Sequence, residues 1–227
     1  VKLGRTMQQI AVEKSRLGIP LIFAADIIHG LKTAFPVPLG ESASFDAGLC
    51  ERTARATAIE ATAFGVQWTF APAVDIARDQ RWGRVVEGAG EDPWLGCRLA
   101  EARVRGFQGA DLRANDSLLA CPKHFAGYGA VQGGMDYNTA DIPETTLREV
   151  HLPPFKASFD AGALTTMASF NDTGGVPSTG NHHLLTDILR GEWAFRGLVV
   201  SDFNSEKELV DHGYAADEAD AVLKAVT

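Results

Sequence analysis

The residues able to do chemistry fall at the carboxyl ends of short apolar runs. Asp202 follows Leu198-Val199-Val200-Ser201, Asp26 follows Leu21 to Ala25, and Asp75 closes Val66 to Val74, with Arg84 further along the same exit. Lys123 and His124 follow Ser117 to Cys121, and Asn171-Asp172 follow Ala163 to Ser169. In parallel α/β sheets and barrels these strand ends carry the active site, because the loops there are free to vary. A nucleophilic carboxylate, a second carboxylate and a set of Lys, Arg and His donors suit a polyhydroxylated ligand, each group gripping one or two hydroxyls. Trp82 and Phe203, near the same ends, offer flat apolar faces to a sugar ring.

Each of these residues also has a plainer reading. Asp202 can cap the helix that follows it. Arg78, Arg81 and Arg84 can pair with Asp79, Glu87, Glu91 and Asp92 and merely stiffen a loop, and Asp75 can brace its surroundings. His182 and His183 read as surface residues at a helix start. Lys123 is harder to dismiss, since a lysine at the end of an apolar strand is costly to bury without a partner or a task.

The elements that must position these groups repeat one beat: helix, Gly or Pro turn, apolar strand, polar exit. Residues 8–17 read as helix and 18–20 as a turn. Phe45, Leu49, Arg52, Ala56, Ile59 and Ala63 draw an apolar stripe broken only by Arg52, which predicts a helix over 46–64 with this face inward. Asp46 is placed to cap its start and Gly65 its end. Asp92-Pro93 opens a second helix, running to about Phe107 with Leu95, Leu99 and Phe107 inward. A helix begins at Pro143, is interrupted at Pro153-Pro154 and resumes over 155–161; others cover 183–190, 205–212 and 215–227. Five strand-to-helix units predict a parallel α/β fold with right-handed crossovers. The periodicity does not separate a doubly wound sheet from a barrel. Candidate groups spread over many strand ends favour the barrel, since an open sheet binds at one switch point.

Composition narrows the partners. The net charge is −8 and the basic residues are scattered, which argues against nucleic acid and anionic membrane. No apolar run approaches the roughly 18–20 residues of a membrane-spanning helix. Cys50, Cys97 and Cys121 have neither a paired framework nor metal-type spacing and read as small buried hydrophobes. Both chain ends fall inside helical patterns, which predicts a piece of a longer protein; the lack of a leader then says nothing of the whole.

Several stretches together resemble the N-terminal barrel domain of glycoside hydrolase family 3, in particular its bacterial β-glucosidases. They are Ala24-Ala25-Asp26-Ile27-Ile28-His29-Gly30, Thr69-Phe70-Ala71-Pro72, Arg78-Asp79-Gln80-Arg81-Trp82-Gly83-Arg84, Glu87-Gly88-Ala89-Gly90-Glu91-Asp92-Pro93, Lys123-His124-Phe125 and Val200-Ser201-Asp202. The resemblance implies a (β/α)8 TIM-like barrel, here incomplete at both ends over residues 1–227, with a following α/β sandwich domain outside the chain. It implies retaining hydrolysis of terminal β-D-glucosyl residues with Asp202 as catalytic nucleophile. Asp26, Arg84, Lys123 and His124 would bind the sugar, with Phe170 and Phe203 beside them. No cofactor and no metal is implied. The implied partners are a β-glucoside oligosaccharide or aryl glucoside and the protein's own next domain, in a periplasmic or secreted setting; no oligomeric state follows.

Some positions depart from the family pattern. Phe170 stands where many members have Tyr, Phe203 where Trp is frequent, and Met135 where many carry a substrate-contacting Arg. The general acid of β-glucosidase-type members is a Glu from the following domain, and Tyr128 stands where the hexosaminidase branch has its catalytic His. The chain alone is therefore expected to lack an acid/base. Other readings are a β-xylosidase or other exo-acting β-glycosidase, a sugar-binding barrel without turnover, a Schiff-base lyase using Lys123, and, ranked last, a metal hydrolase built on His29 and His124.

Overall fold

Capping signals set the outer helices. The computed structural model describes residues 2–226. In chain order, α1 (Lys2–Lys14) leads to β1 (Ala24–Ala25), then α2 (Pro38–Ser42), α3 (Ala47–Ala63) and β2 (Trp68–Thr69). After α4 (Pro93–Gln108) come α5 (Glu144–Thr146), wide π-type turns over Leu147–His151, and α6 (Pro153–Asp160). Next are β3 (Thr165–Met167) and a hairpin of β4 (Asp172–Thr173) and β5 (Val176–Pro177). A π-type helix, His183–Glu192, precedes β6 (Leu198–Val200), α7 (Ser205–Asp211) and α8 (Glu218–Val226). The Asp46 carboxylate accepts the Leu49 N–H at 2.9 Å and that of Asp92 the Leu95 N–H at 2.7 Å, each satisfying an otherwise orphaned helix donor. Gly65 follows α3 and Gly109 caps the end of α4, both at positive φ.

The strands follow one another in parallel. Ala24 lies opposite Trp68, and Trp68 bridges to Leu119, Ala73 to Lys123 and Phe125 to Ala168. β3 then pairs with β6, Thr165 opposite Leu198. The order β1, β2, segment 117–125, β3, β6 never reverses, and a helix intervenes at each step. That is the winding of a TIM-barrel-like fold, and it sets aside the doubly wound alternative.

Several expectations need correction. β2 and segment 117–125 pair over much shorter lengths than their apolar runs, because Pro72 and Pro122 have no N–H to give and break the ladder. Bonding resumes around them, from Cys121 N to Ala71 O at 2.8 Å and from Val74 N to Lys123 O at 2.8 Å. The first helix is Lys2–Lys14 rather than 8–17. The expected inner stripe of α3 is its outer face: Phe45 is 77% and Ile59 49% exposed, while Cys50, Ala54, Thr57, Ala58 and Ala61 are buried.

The reason for the reversed face is the close approach of α4. A Cβ on Gly106 would lie 2.4 Å from Glu51 O and 2.6 Å from the Ala54 Cβ, so only small residues fit between the two helices. Ile27, Ala71, Leu118 and Ala120 then pack against Val104 and Phe107 beneath them. Of the cysteines, Cys50 and Cys121 are buried as expected, whereas Cys97 is half-buried. Burial pushes the Cys121 thiol up to about 12, so it is inert. The proline pair expected to interrupt a helix opens α6, where a missing N–H costs nothing. No helix among the described residues is long and apolar enough to cross a membrane.

Two outcomes follow from this packing. Gly106→Val adds bulk where a backbone carbonyl already stands, and unfolding in urea is expected to show a loss of about 1–3 kcal/mol despite valine's better helix propensity. His151 is buried, and burial drives its imidazole down to about 4, with Asp75 opposing and Arg78 assisting. A depressed histidine favours the folded state above its unfolded pKa of 6.5, and that contribution is lost as pH falls toward 4. His151→Leu should flatten stability against pH over that window by about 2–3 kcal/mol; parallel wild-type and variant curves would contradict it.

Candidate active site

Charge burial at the end of segment 117–125 organises the site. The Lys123 side chain is only 4% exposed, and its Nζ lies 2.6 Å from Asp26 Oδ1, whose side chain is 59% exposed. An ammonium carried inward by its strand thus meets a carboxylate from the end of β1. The parallel order brings these residues together, 97 positions apart in sequence.

His124 forms the next contact. Asp75 Oδ2 accepts its backbone N–H at 3.1 Å and faces its Nδ1 at 2.8 Å, with both side chains almost wholly buried. On the other side of the ring, Arg84 Nη2 lies 2.9 Å from Nε2. Arginine has only donors to offer, so Nε2 accepts and Nδ1–H is donated to Asp75. Arg84 in turn donates Nε and Nη2 to the two oxygens of Glu87, at 2.8 and 2.9 Å. Burial works against its charge and the Glu87 carboxylate more than offsets this, leaving Arg84 with a raised pKa.

Asp202 stands just beyond β6, its Oδ2 3.5 Å from His124 Nε2. Its two oxygens differ. Oδ1 accepts the Phe203 N–H at 2.7 Å, whereas Oδ2 is buried and accepts no hydrogen bond from the protein. The alternative reading of Asp202 as a helix cap finds no support here: α7 is preceded by Asn204, and no side-chain cap bond is made.

Aromatic residues floor one side. Trp82 and Tyr128 meet edge to face at 5.1 Å, Tyr128 meets the His124 ring at 5.1 Å, and Arg84 lies 5.5 Å from the Tyr128 ring centre. The expectation that Trp82 offers an open ring face is corrected, since it is buried against Ala77, Val85 and Tyr128. Phe170 is buried in the same cluster. Phe203 is 79% exposed at the rim. The remaining charges of the long exit pair locally, Arg81 with Asp79 and Arg78 with the Glu91 carbonyl. His182 and His183 are exposed, pairing with Asp187 and Glu144.

The hairpin ties the rim together. Asp172 Oδ2 accepts the Thr139 hydroxyl at 2.8 Å and faces His212 Nδ1 at 3.5 Å, while Asp172 O accepts the Ala140 N–H at 2.9 Å. It thereby joins the loop after His124 to α7, the helix after Asp202.

The chain as a whole has relatives of known kind. The sequence model of the glycosyl hydrolase family 3 N-terminal domain matches residues 2–227. The chain belongs to glycosyl hydrolase family 3. A periplasmic β-glucosidase of Salmonella typhimurium is 45% identical over 222 residues, 98% of this chain and 29% of that protein. A β-xylosidase of Formosa agariphila is 37% identical over 93% of this chain and 31% of its own length. Among solved structures, a mutant β-glucosidase from Listeria innocua in complex with laminaribiose superposes with a TM-score of 0.96 at 42% identity, over 98% of this chain and 31% of that one. The family 3 chain thus spans about a third of the length of the relatives it matches.

Two features of this family 3 domain escaped the sequence reading. Asp136 Oδ1 accepts both the Trp82 indole N–H, at 3.1 Å, and the Tyr128 hydroxyl. The hairpin through Asp172 was also missed; there the doubled glycine, Gly174-Gly175, was the available signal of a tight turn.

The Lys123–Asp26 pair generates a further expectation. Asp26→Asn leaves a nearly buried ammonium without its counter-charge, tempered by the water that reaches the exposed carboxylate side. Urea unfolding should show a loss of about 1–2 kcal/mol, most of it restored when Lys123→Met is added. A double variant no more stable than Asp26→Asn would contradict this account.

Proposed function

We propose that the full-length protein carrying this domain is a retaining β-glucosidase acting on terminal, non-reducing β-D-glucosyl residues. The observation that carries the reading is the asymmetric carboxylate of Asp202. One oxygen is tied to backbone and the other is buried, unbonded and beside His124. In the proposed first step Asp202 Oδ2 attacks the anomeric carbon as the bond to the aglycone oxygen breaks. A carboxylic acid from outside this chain, about 5–5.5 Å from Asp202 in a retaining enzyme, gives that oxygen its proton. In the second step water attacks the same carbon, the acid's conjugate base takes its proton, and Asp202 is released.

The neighbours of Asp202 support binding of the glucosyl ring. Lys123 and Arg84 are donors already oriented by Asp26 and Glu87, and the half-exposed Asp26 has an oxygen free to accept hydroxyls. His124 is fixed in one tautomer by Asp75, and Phe203 supplies an exposed ring at the rim. Phe170 supports the site from below. A Lys123 held by a carboxylate favours this role over Schiff-base chemistry. Glucose rather than xylose is favoured by the greater identity to β-glucosidases, and a periplasmic setting by the Salmonella relative.

The sheet fits a larger, closed barrel followed by a second domain. Among the described residues β1 and β6 each pair on one side only, and Leu21, Ile22, Leu164 and Leu198 are exposed near these edges. Further strands and helices of the full-length protein would cover them.

Trapping with a 2-fluoro glucoside tests the chemistry directly. The label is expected on the peptide containing Asp202, and Asp202→Asn should lower kcat at least about a thousandfold. Label elsewhere would overturn the assignment, and unchanged hydrolysis in the variant would favour a binding barrel whose turnover arises from another site. The isolated 227 residues should turn over a nitrophenyl glucoside weakly or not at all.

A further inference from the structure

The loop from Val131 to Asn138 displays exposed side chains on a backbone that is tightly fixed. Gly134 has φ +68°, and a Cβ there would stand 2.5 Å from Trp82 N and 2.7 Å from Arg81 C, so the loop presses backbone to backbone on the exit of β2. Gln132 N–H is donated to Thr139 O at 2.9 Å, and Asn138 Nδ2 to Gln132 O at 3.2 Å. Asp136 is held by the Trp82 indole and the Tyr128 hydroxyl. Between these anchors sits Tyr137, in the left-handed region at φ +64°, a conformation that costs a bulky residue roughly 1–2 kcal/mol.

What this backbone displays is an aromatic ring joined to the candidate nucleophile by a run of ring contacts. Tyr137 is 43% exposed, and its ring centre lies 4.6 Å from that of Phe170, at 51°. Phe170 meets Tyr128 at 5.9 Å, Tyr128 meets His124 at 5.1 Å, and His124 faces Asp202. Burial raises the phenol's pKa, the carboxylates of Asp136, Asp202 and Glu208 add to the shift, and Arg84 opposes it. The phenol therefore keeps its proton at neutral pH. Phe170 in contact with it is buried and carries no hydroxyl, so of this pair only the half-exposed Tyr137 offers a phenol.

We propose that Tyr137 is a specificity-determining residue: it forms a wall of the subsite for the leaving group and favours β-glucosides whose aglycone is itself a ring, a second sugar above all. The inference rests on the β-glucosidase reading. The glucosyl unit has its own grips in Asp26, Arg84, Lys123 and His124. Tyr137 is not among these; it is half-exposed and packed on Phe170, with an apolar face for a second ring and a neutral O–H donor for its hydroxyls.

Equilibrium binding to the full-length protein with Asp202→Ala tests this without turnover, using laminaribiose and glucose as ligands. Adding Tyr137→Ala should weaken laminaribiose about three- to tenfold and leave glucose within about twofold, while Tyr137→Phe should keep laminaribiose within about threefold of the parent. Melting temperatures of both variants report whether the loop has kept its fold. If both sugars weaken equally, or laminaribiose binding is unchanged, the inference is overturned while the β-glucosidase reading stands. A parent that binds neither sugar overturns that reading and this inference together.

Discussion

Everything at the candidate site depends on how one strand end tolerates buried charge. Lys123 and His124 point into the protein, and removing an ion from water costs several kcal/mol even after relaxation. Each therefore needs a partner of opposite or complementary character within hydrogen-bond reach. Asp26 comes from the end of β1, Asp75 from the exit of β2, and Arg84 with Glu87 from the turn beyond it. Four chain segments must converge to within a few ångströms for the ensemble to be tolerated. Consecutive parallel strands accomplish this because all their carboxyl ends face one way.

Convergence of this kind also explains the glycines that matter. Gly106 lets α3 and α4 touch, Gly134 lets a loop rest on the β2 exit, and a Cβ on Gly129 would stand 2.2 Å from Ile76 O. In each case backbone or a small side chain occupies the space where a larger residue would hold the elements apart. The charged groups reach each other only because the layers carrying them lie this close.

Much of this was legible in the sequence, and the rest was not for identifiable reasons. Caps announce themselves locally, so Asp46 and Asp92 fixed the starts of α3 and α4. Strand ends could be read from apolar runs meeting polar residues, and ordered motifs gave the family. The inner face of α3 was misread because hydrophobicity was weighed without size: the face carrying Phe45 and Ile59 was too bulky for the contact that Gly106 imposes. Ladder lengths depended on where prolines met neighbouring strands. Trp82 and Asp136 could not be placed because they meet across 54 positions of chain, and Tyr137 because its ring partner, Phe170, is also far from it in sequence.

The two unequal oxygens of Asp202 have a stereochemical meaning. A free carboxylate spins, and either oxygen can present either lone pair. Here the Phe203 N–H acts as a brake on that rotation. For the proposed reaction, the oxygen that bonds to carbon is chosen by the backbone before any sugar arrives, and part of the orientational entropy of the attack is spent during folding rather than during turnover.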